Sequence, residues 1–135
     1  MALKAKKRIA TAIVAIAAVS TLAITAAASN TGFGFNNVNV NTSVSTGNVT
    51  KSDSLQYAVV NVQGGNFVSS DRAIFRVTDT SGNNRTSAVT YSSASGKQNM
   101  YFNIGFTGNQ GQNYRLKMTN SGSIGGLNAN GIWAP

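Results

Sequence analysis

The sequence predicts an all-β fold, an antiparallel β-sandwich of about seven short strands behind a helical N-terminal signal peptide. Three observations predict it. Apolar and polar residues alternate with period two in several runs, as at Ala73, Phe75 and Val77 against Ile74, Arg76 and Thr78. Turn-forming clusters of Gly, Asn, Asp and Ser separate those runs at roughly 8–15-residue spacing. Beyond the N-terminal segment no stretch repeats its apolar residues near 3.6, so helix is not expected there.

The N-terminus reads as a leader. Lys4, Lys6, Lys7 and Arg8 form a basic cluster, an Ala/Ile/Val-rich run follows from Ile9, and Ala26-Ala27-Ala28 precedes Ser29. A positive region, an apolar region and small residues at the A-x-A positions make a secretory signal peptide. This divides the chain into a leader, residues 1–28, and a β domain, residues 29–135. The apolar run is also about 20 residues long, enough to span a bilayer as an uncleaved anchor. Ala26 and Ala28 favour cleavage. Either way the domain is expected outside the membrane, as a secreted protein.

The elements follow in order. Phe33-Gly34-Phe35 and Val38-Asn39-Val40 alternate as a strand does, and residues 41–54 read as a polar loop or an irregular edge strand. The run Tyr57-Ala58-Val59-Val60-Asn61-Val62 is the next strand, ended by Gly64-Gly65-Asn66. Residues 73–78 form another, and residues 79–84, Asp-Thr-Ser-Gly-Asn-Asn, supply a turn. Residues 88–91 follow. Met100, Phe102, Ile104 and Phe106 then place four large apolar side chains on one face of what reads as the strongest strand. Burying them would contribute roughly 6–10 kcal/mol before entropy. Tyr114, Leu116 and Met118 oppose Arg115, Lys117 and Thr119 in the next strand, residues 121–126 form a connection, and residues 127–134 make the last strand, with Trp133 in the core or at the sheet edge.

Composition removes most catalytic chemistry. The chain has no Cys and no His, so thiol nucleophiles, imidazole bases and the usual transition-metal ligands are missing, and no disulfide holds the domain. The acids are Asp53, Asp71 and Asp79 alone. A glycosidase needs two facing carboxyl groups, whereas Asp71 and Asp79 flank one strand and lie over ~20 Å apart at ~3.3 Å per residue. Residues 79–83 resemble the start of a calcium loop, but Asn84 and Thr90 stand where an EF-hand has Gly and an acid, so an Asx-capped turn is expected. No enzyme activity, metal or cofactor is expected.

Charge and aromatics leave binding as the remaining class. Of eleven Lys and Arg, four lie in the leader, so seven cations face three acids in residues 29–135 and the net charge falls from +8 to +4. Arg76, Arg115 and Lys117 alternate with apolar neighbours and, with Arg72, are the candidate patch for an anionic cell-wall polymer or an anionic membrane surface. Nucleic acid is not expected, because exposed aromatics interleaved with the basic residues are lacking and the domain is exported. Tyr57, Tyr91, Tyr101 and Trp133 are candidate platforms for sugar rings, with Tyr101 and Trp133 foremost. Exposed edge strands offer a route to self-association.

The segment Tyr114-Arg115-Leu116-Lys117-Met118-Thr119-Asn120 and the ending Gly131-Ile132-Trp133-Ala134-Pro135, with residues 88–94 (AVTYSSA), resemble the C-terminal part of a group of small secreted Gram-positive β-domain proteins. Those close with a Y-x-L-x-x-x-N strand and a G-x-W segment. The resemblance covers roughly residues 86–135 and implies an exported β domain without assigned chemistry. The expected function is therefore a secreted, non-enzymatic binding or structural protein at the cell surface or in the extracellular matrix. A bacteriocin-like membrane-active protein is the alternative.

Overall fold

Apolar side chains at alternate positions of five strands point into one shared interior. The computed structural model describes residues 30–135 apart from position 124. The expected leader, residues 1–28, and the cleavage expected after it lie outside the described residues.

Nine strands are present: β1 (Thr31–Val38), β2 (Ser43–Ser45), β3 (Val49–Thr50), β4 (Tyr57–Gly65), β5 (Ala73–Thr78), β6 (Val89–Tyr91), β7 (Gly96–Tyr101), β8 (Asn113–Asn120) and β9 (Leu127–Ala134). They form two antiparallel sheets packed face to face, with no helix among the described residues. The first sheet has the order β1-β9-β4-β7. The second has the order β2-β8-β5-β6, and β3 pairs with β8 beyond β2. The chain crosses from one sheet to the other after almost every strand, so among consecutive strands only β5 and β6 pair.

Phe75 sits at the centre of the core. Its ring meets Phe33 of the opposite sheet at 5.6 Å, edge to face, and Tyr91 at 5.6 Å and 87°. The Tyr91 hydroxyl reaches across the sandwich to the backbone oxygens of Gly96 (2.7 Å) and Val60 (3.0 Å). Burial pushes the phenol above its ordinary pKa. Asn120, also buried, donates Nδ2 to Val38 O at 2.9 Å and so ties β8 to the end of β1. These polar ties fix how the two sheets are stacked, which apolar contact alone leaves loose.

One expectation changes and two become definite. Residues 41–54 hold two short strands: β2 pairs along the edge of β8 opposite β5, and β3 pairs with Asn113 and Tyr114, which β5 does not reach. The strand expected over residues 100–106 ends at Tyr101. Met100 is buried and Phe102 packs against the core, but Ile104 is fully exposed and Phe106 is 43% exposed. Gly105 adopts φ +87° and Phe106 N donates to Asn103 O at 2.9 Å, so a tight turn takes Ile104 and Phe106 out of the core. Finally β9 is interior to its sheet, between β1 and β4, with Trp133 in register with Thr31 and Val60.

Candidate binding surface

The second sheet turns its polar residues outward because its apolar ones face the core. In β5 the inward set is Ala73, Phe75 and Val77; in β8 it is Tyr114, Leu116 and Met118. Register then decides which outward residues meet. Arg76 lies directly opposite Lys117, and Lys117 in turn opposite Ser45, so one row crosses three strands. The next row is Ser43, Thr119, Ile74 and Thr90, in which the Ser43 and Thr119 hydroxyls are 2.6 Å apart. On the other side of the first row, Arg115 faces Thr78. Two amides hold the cations in place: Lys117 Nζ donates to Asn84 Oδ1 (2.6 Å) and Arg115 Nε to Asn48 Oδ1 (2.7 Å).

Among the described residues there are two ion pairs, and neither touches this face. Asp53 binds Lys51 at 2.6 Å, and Asp79 binds Arg85 at 2.6 Å. Asp71 is buried, with Oδ2 accepting Val68 N at 2.8 Å and Oδ1 without a partner. The fold thus engages all its acids elsewhere and leaves Arg76, Arg115 and Lys117 without a countercharge. Two cations directly opposed on neighbouring strands destabilise a sheet. An anion lying across the row would remove that cost.

The sequence reading placed four cations together, and the structure brings three onto one face. Arg72 stands one residue before β5, and its Nη1 is folded back onto the carbonyls of Asp71 (2.6 Å) and Ser69 (3.2 Å). Sequence alternation does not point to Asn48 and Asn84, which position Arg115 and Lys117. They lie 67 and 33 residues away in sequence from the cations they hold, Asn48 between β2 and β3 and Asn84 in a single β-bridge to Thr78, and an Asn between strands carries no sequence signal of such a reach.

The aromatic candidates divide. Trp133 is 1% exposed, and Tyr91 is buried with it, so neither ring presents a face to a ligand. This corrects the expectation of a ligand contact at Trp133: its side chain follows the inward alternation of β9 into the core. Tyr101 is 58% exposed and packs beside Tyr57, with ring centroids 5.8 Å apart and planes tilted at 59°, on the outer face of the first sheet. There Leu55, Tyr57, Val59 and Ile132 line a groove of about 360 Å³ that also meets Asp53, Asn61 and Lys97.

The 79–84 segment is a closed turn. Asp79 Oδ1 accepts Ser81 N and Asn83 N at 2.9 Å each, while Oδ2 accepts Asn83 Nδ2 and Arg85. Partial burial raises the Asp79 pKa, but the hydrogen bonds from Asn83, Arg85 and Ser81 outweigh it and hold the carboxyl at about 2. Among the described residues no three acids or other metal-ligating side chains converge. No helix of the described residues is long and apolar enough to cross a membrane.

No protein-family model matches this chain, and neither a curated protein nor a solved structure does.

Proposed function

We propose that this chain is a secreted, non-enzymatic binding protein that works at the cell surface by holding an anionic, phosphate-bearing wall polymer against the outer face of its second sheet. The observation that carries this reading is the row Ser45, Lys117 and Arg76, in which two cations face each other with no carboxylate on the same face. Hydroxyls of Ser43, Ser45 and Thr119 flank the row, and Arg115 extends it. A repeating phosphate ester offers the matching acceptors and charge.

The test is retention of the chain on immobilised polyphosphate, with neutral dextran as control. Retention on polyphosphate alone is expected, and it should fall as the screening length shortens from about 30 Å at 0.01 M to about 8 Å at 0.15 M salt. The double variant R76Q/K117Q should bind about tenfold more weakly, equivalent to ~1.4 kcal/mol. Equal retention on dextran, or an unchanged double variant, would overturn the reading.

A second reading, a membrane-active protein, has its own observation. Among the described residues, four of the five exposed large hydrophobics, Leu55, Tyr101, Ile104 and Phe106, lie on two segments joined by Phe102 N donating to Gln56 O at 3.1 Å. Dye release from anionic vesicles that is lost in Ile104→Ser would favour it over wall binding.

A further inference from the structure

A second concavity lies apart from the basic row. A cleft of about 480 Å³ opens between the 79–85 turn and residues 105–114, within the ~300–1,000 Å³ range of small-molecule sites. Neither Arg76, Arg115 nor Lys117 lines it.

Its charges cancel internally. Arg85 donates to Asp79 Oδ2 through both Nε (3.1 Å) and Nη2 (2.6 Å), and Asp79 Oδ1 is filled by two backbone N–H groups. The guanidinium fixed in this way lies over the Phe106 ring, 4.3 Å from its centroid, while Phe106 stays 43% exposed. The turn that removes Phe106 from the core therefore delivers it to the cleft as an aromatic surface whose plane is set by a pinned cation. Polar groups surround it. Thr80, Thr107, Asn109 and Gln112 line the cleft; the backbones of the last three are hydrogen-bonded, but among the described residues no side-chain oxygen or nitrogen of the four has a partner. Gly105 and Gly111 carry no side chain to shield the backbone, and the space where one would stand is open.

We propose that this cleft binds a neutral saccharide, with a pyranose ring stacked on the face of Phe106 that Arg85 leaves uncovered and its hydroxyls on the amides of Asn109 and Gln112 and the hydroxyls of Thr80 and Thr107. A sugar has both surfaces that the cleft offers: an apolar C–H face for the ring, and a rim of groups that donate and accept hydrogen bonds. A phosphate would meet no free cation here, because Arg85 is already paired. A hydrocarbon ligand would strand the amides and hydroxyls without partners. The inference does not depend on the basic row.

The test is titration of the ¹⁵N-labelled full chain with cellohexaose and with chitohexaose, followed by amide spectra. Shifts confined to the cleft are expected, including the side-chain amides of Asn109 and Gln112. Phe106→Ala should weaken binding at least about tenfold without lowering the melting temperature, since the ring is not in the core. The pair N109A/Q112A is the second variant, and it should weaken binding while leaving the Phe106–Arg85 stack intact. Polyphosphate retention should be unchanged in both, whereas R76Q/K117Q should keep saccharide binding. Absence of shifts with either oligosaccharide would overturn the proposal. So would shifts insensitive to both variants, or a Phe106-dependent partition into lipid vesicles with no saccharide shift.

Discussion

The two outer faces of the sandwich rest on the same core and share almost no chemistry. Across the first sheet one row reads Gly32, Ile132, Asn61 and Lys97, beside a groove carrying Tyr57, Val59 and the exposed Tyr101. Across the second, the row reads Ser45, Lys117 and Arg76. The inner faces are interchangeable in kind: Phe, Val, Leu, Met and Ala at every second position. Inward residues are constrained by packing density and outward ones only by water, so the faces record what the protein meets. One face holds a single cation among apolar and amide groups. The other gathers three cations at a cost to the sheet.

The most severe way to break the comparison is to remove the core that both faces share. Trp133→Ala deletes a side chain with 1% exposure and should cost ~3–5 kcal/mol, seen as a large fall in the urea midpoint. Both faces should fail together. Trp133→Phe should cost far less than Trp133→Ala. It keeps most of the packing and removes Nε1, which is buried without a partner. Next in size is Lys51, the one buried lysine among the described residues. It is 0% exposed, donates to Asp53 Oδ1 (2.6 Å) and Pro135 O (2.8 Å), and lies 5.6 Å from the Phe102 ring centroid. Lys51→Ala breaks a buried pair and should destabilise by ~3 kcal/mol in the same denaturation, while retention on polyphosphate per folded molecule stays unchanged. A loss of retention there would mean that the cations act by total charge rather than by face.

Asp79 sharpens the contrast between a satisfied and an unsatisfied charge. Its folded pKa of about 2 lies below the ordinary aspartate value of 3.8, so its stabilisation is fully present above pH ~4 and is lost as pH falls through about 2. Asp79→Asn should remove that part of the acid sensitivity and free Arg85 from Phe106. Denaturant midpoints of the two proteins, measured across this pH window, should converge toward its acid end. Parallel curves would show that Asp79 is not the group responsible.

The sequence makes the all-β fold and the inward set legible because alternation is local. Phe33, Phe35, Phe75, Leu116 and Met118 follow directly from it. Strand order is not local. The chain changes sheet after almost every strand, and no residue near Leu127 signals that β9 will lie between β1 and β4. Alternation also misleads where a turn interrupts it: Met100, Phe102, Ile104 and Phe106 keep the period, but Gly105 at φ +87° takes the last two to the surface. The exposed aromatic at Phe106 was hidden for that reason. Arg76, Arg115 and Lys117 were legible as outward residues; that Arg76 opposes Lys117 is a matter of register.

That opposition yields the smallest effect and the sharpest test of the comparison. Arg76 is paired in register with Lys117, and among the described residues no carboxylate forms an ion pair with either. Replacing Arg76 with Gln removes a like-charge contact and keeps a side chain of similar reach. The variant should be more stable by ~0.2–1 kcal/mol at low salt, and the gain should shrink as salt screens the repulsion it relieves. The same substitution should weaken polyphosphate retention. On the first sheet, Lys97 faces Asn61 rather than a second cation, so Lys97→Gln should leave stability unchanged. Stability that rises while binding falls is the mark of a residue kept for its ligand rather than for the fold. If Arg76→Gln and Lys97→Gln behave alike in both measurements, the two faces differ in composition only, and the basic row has no claim to be a site.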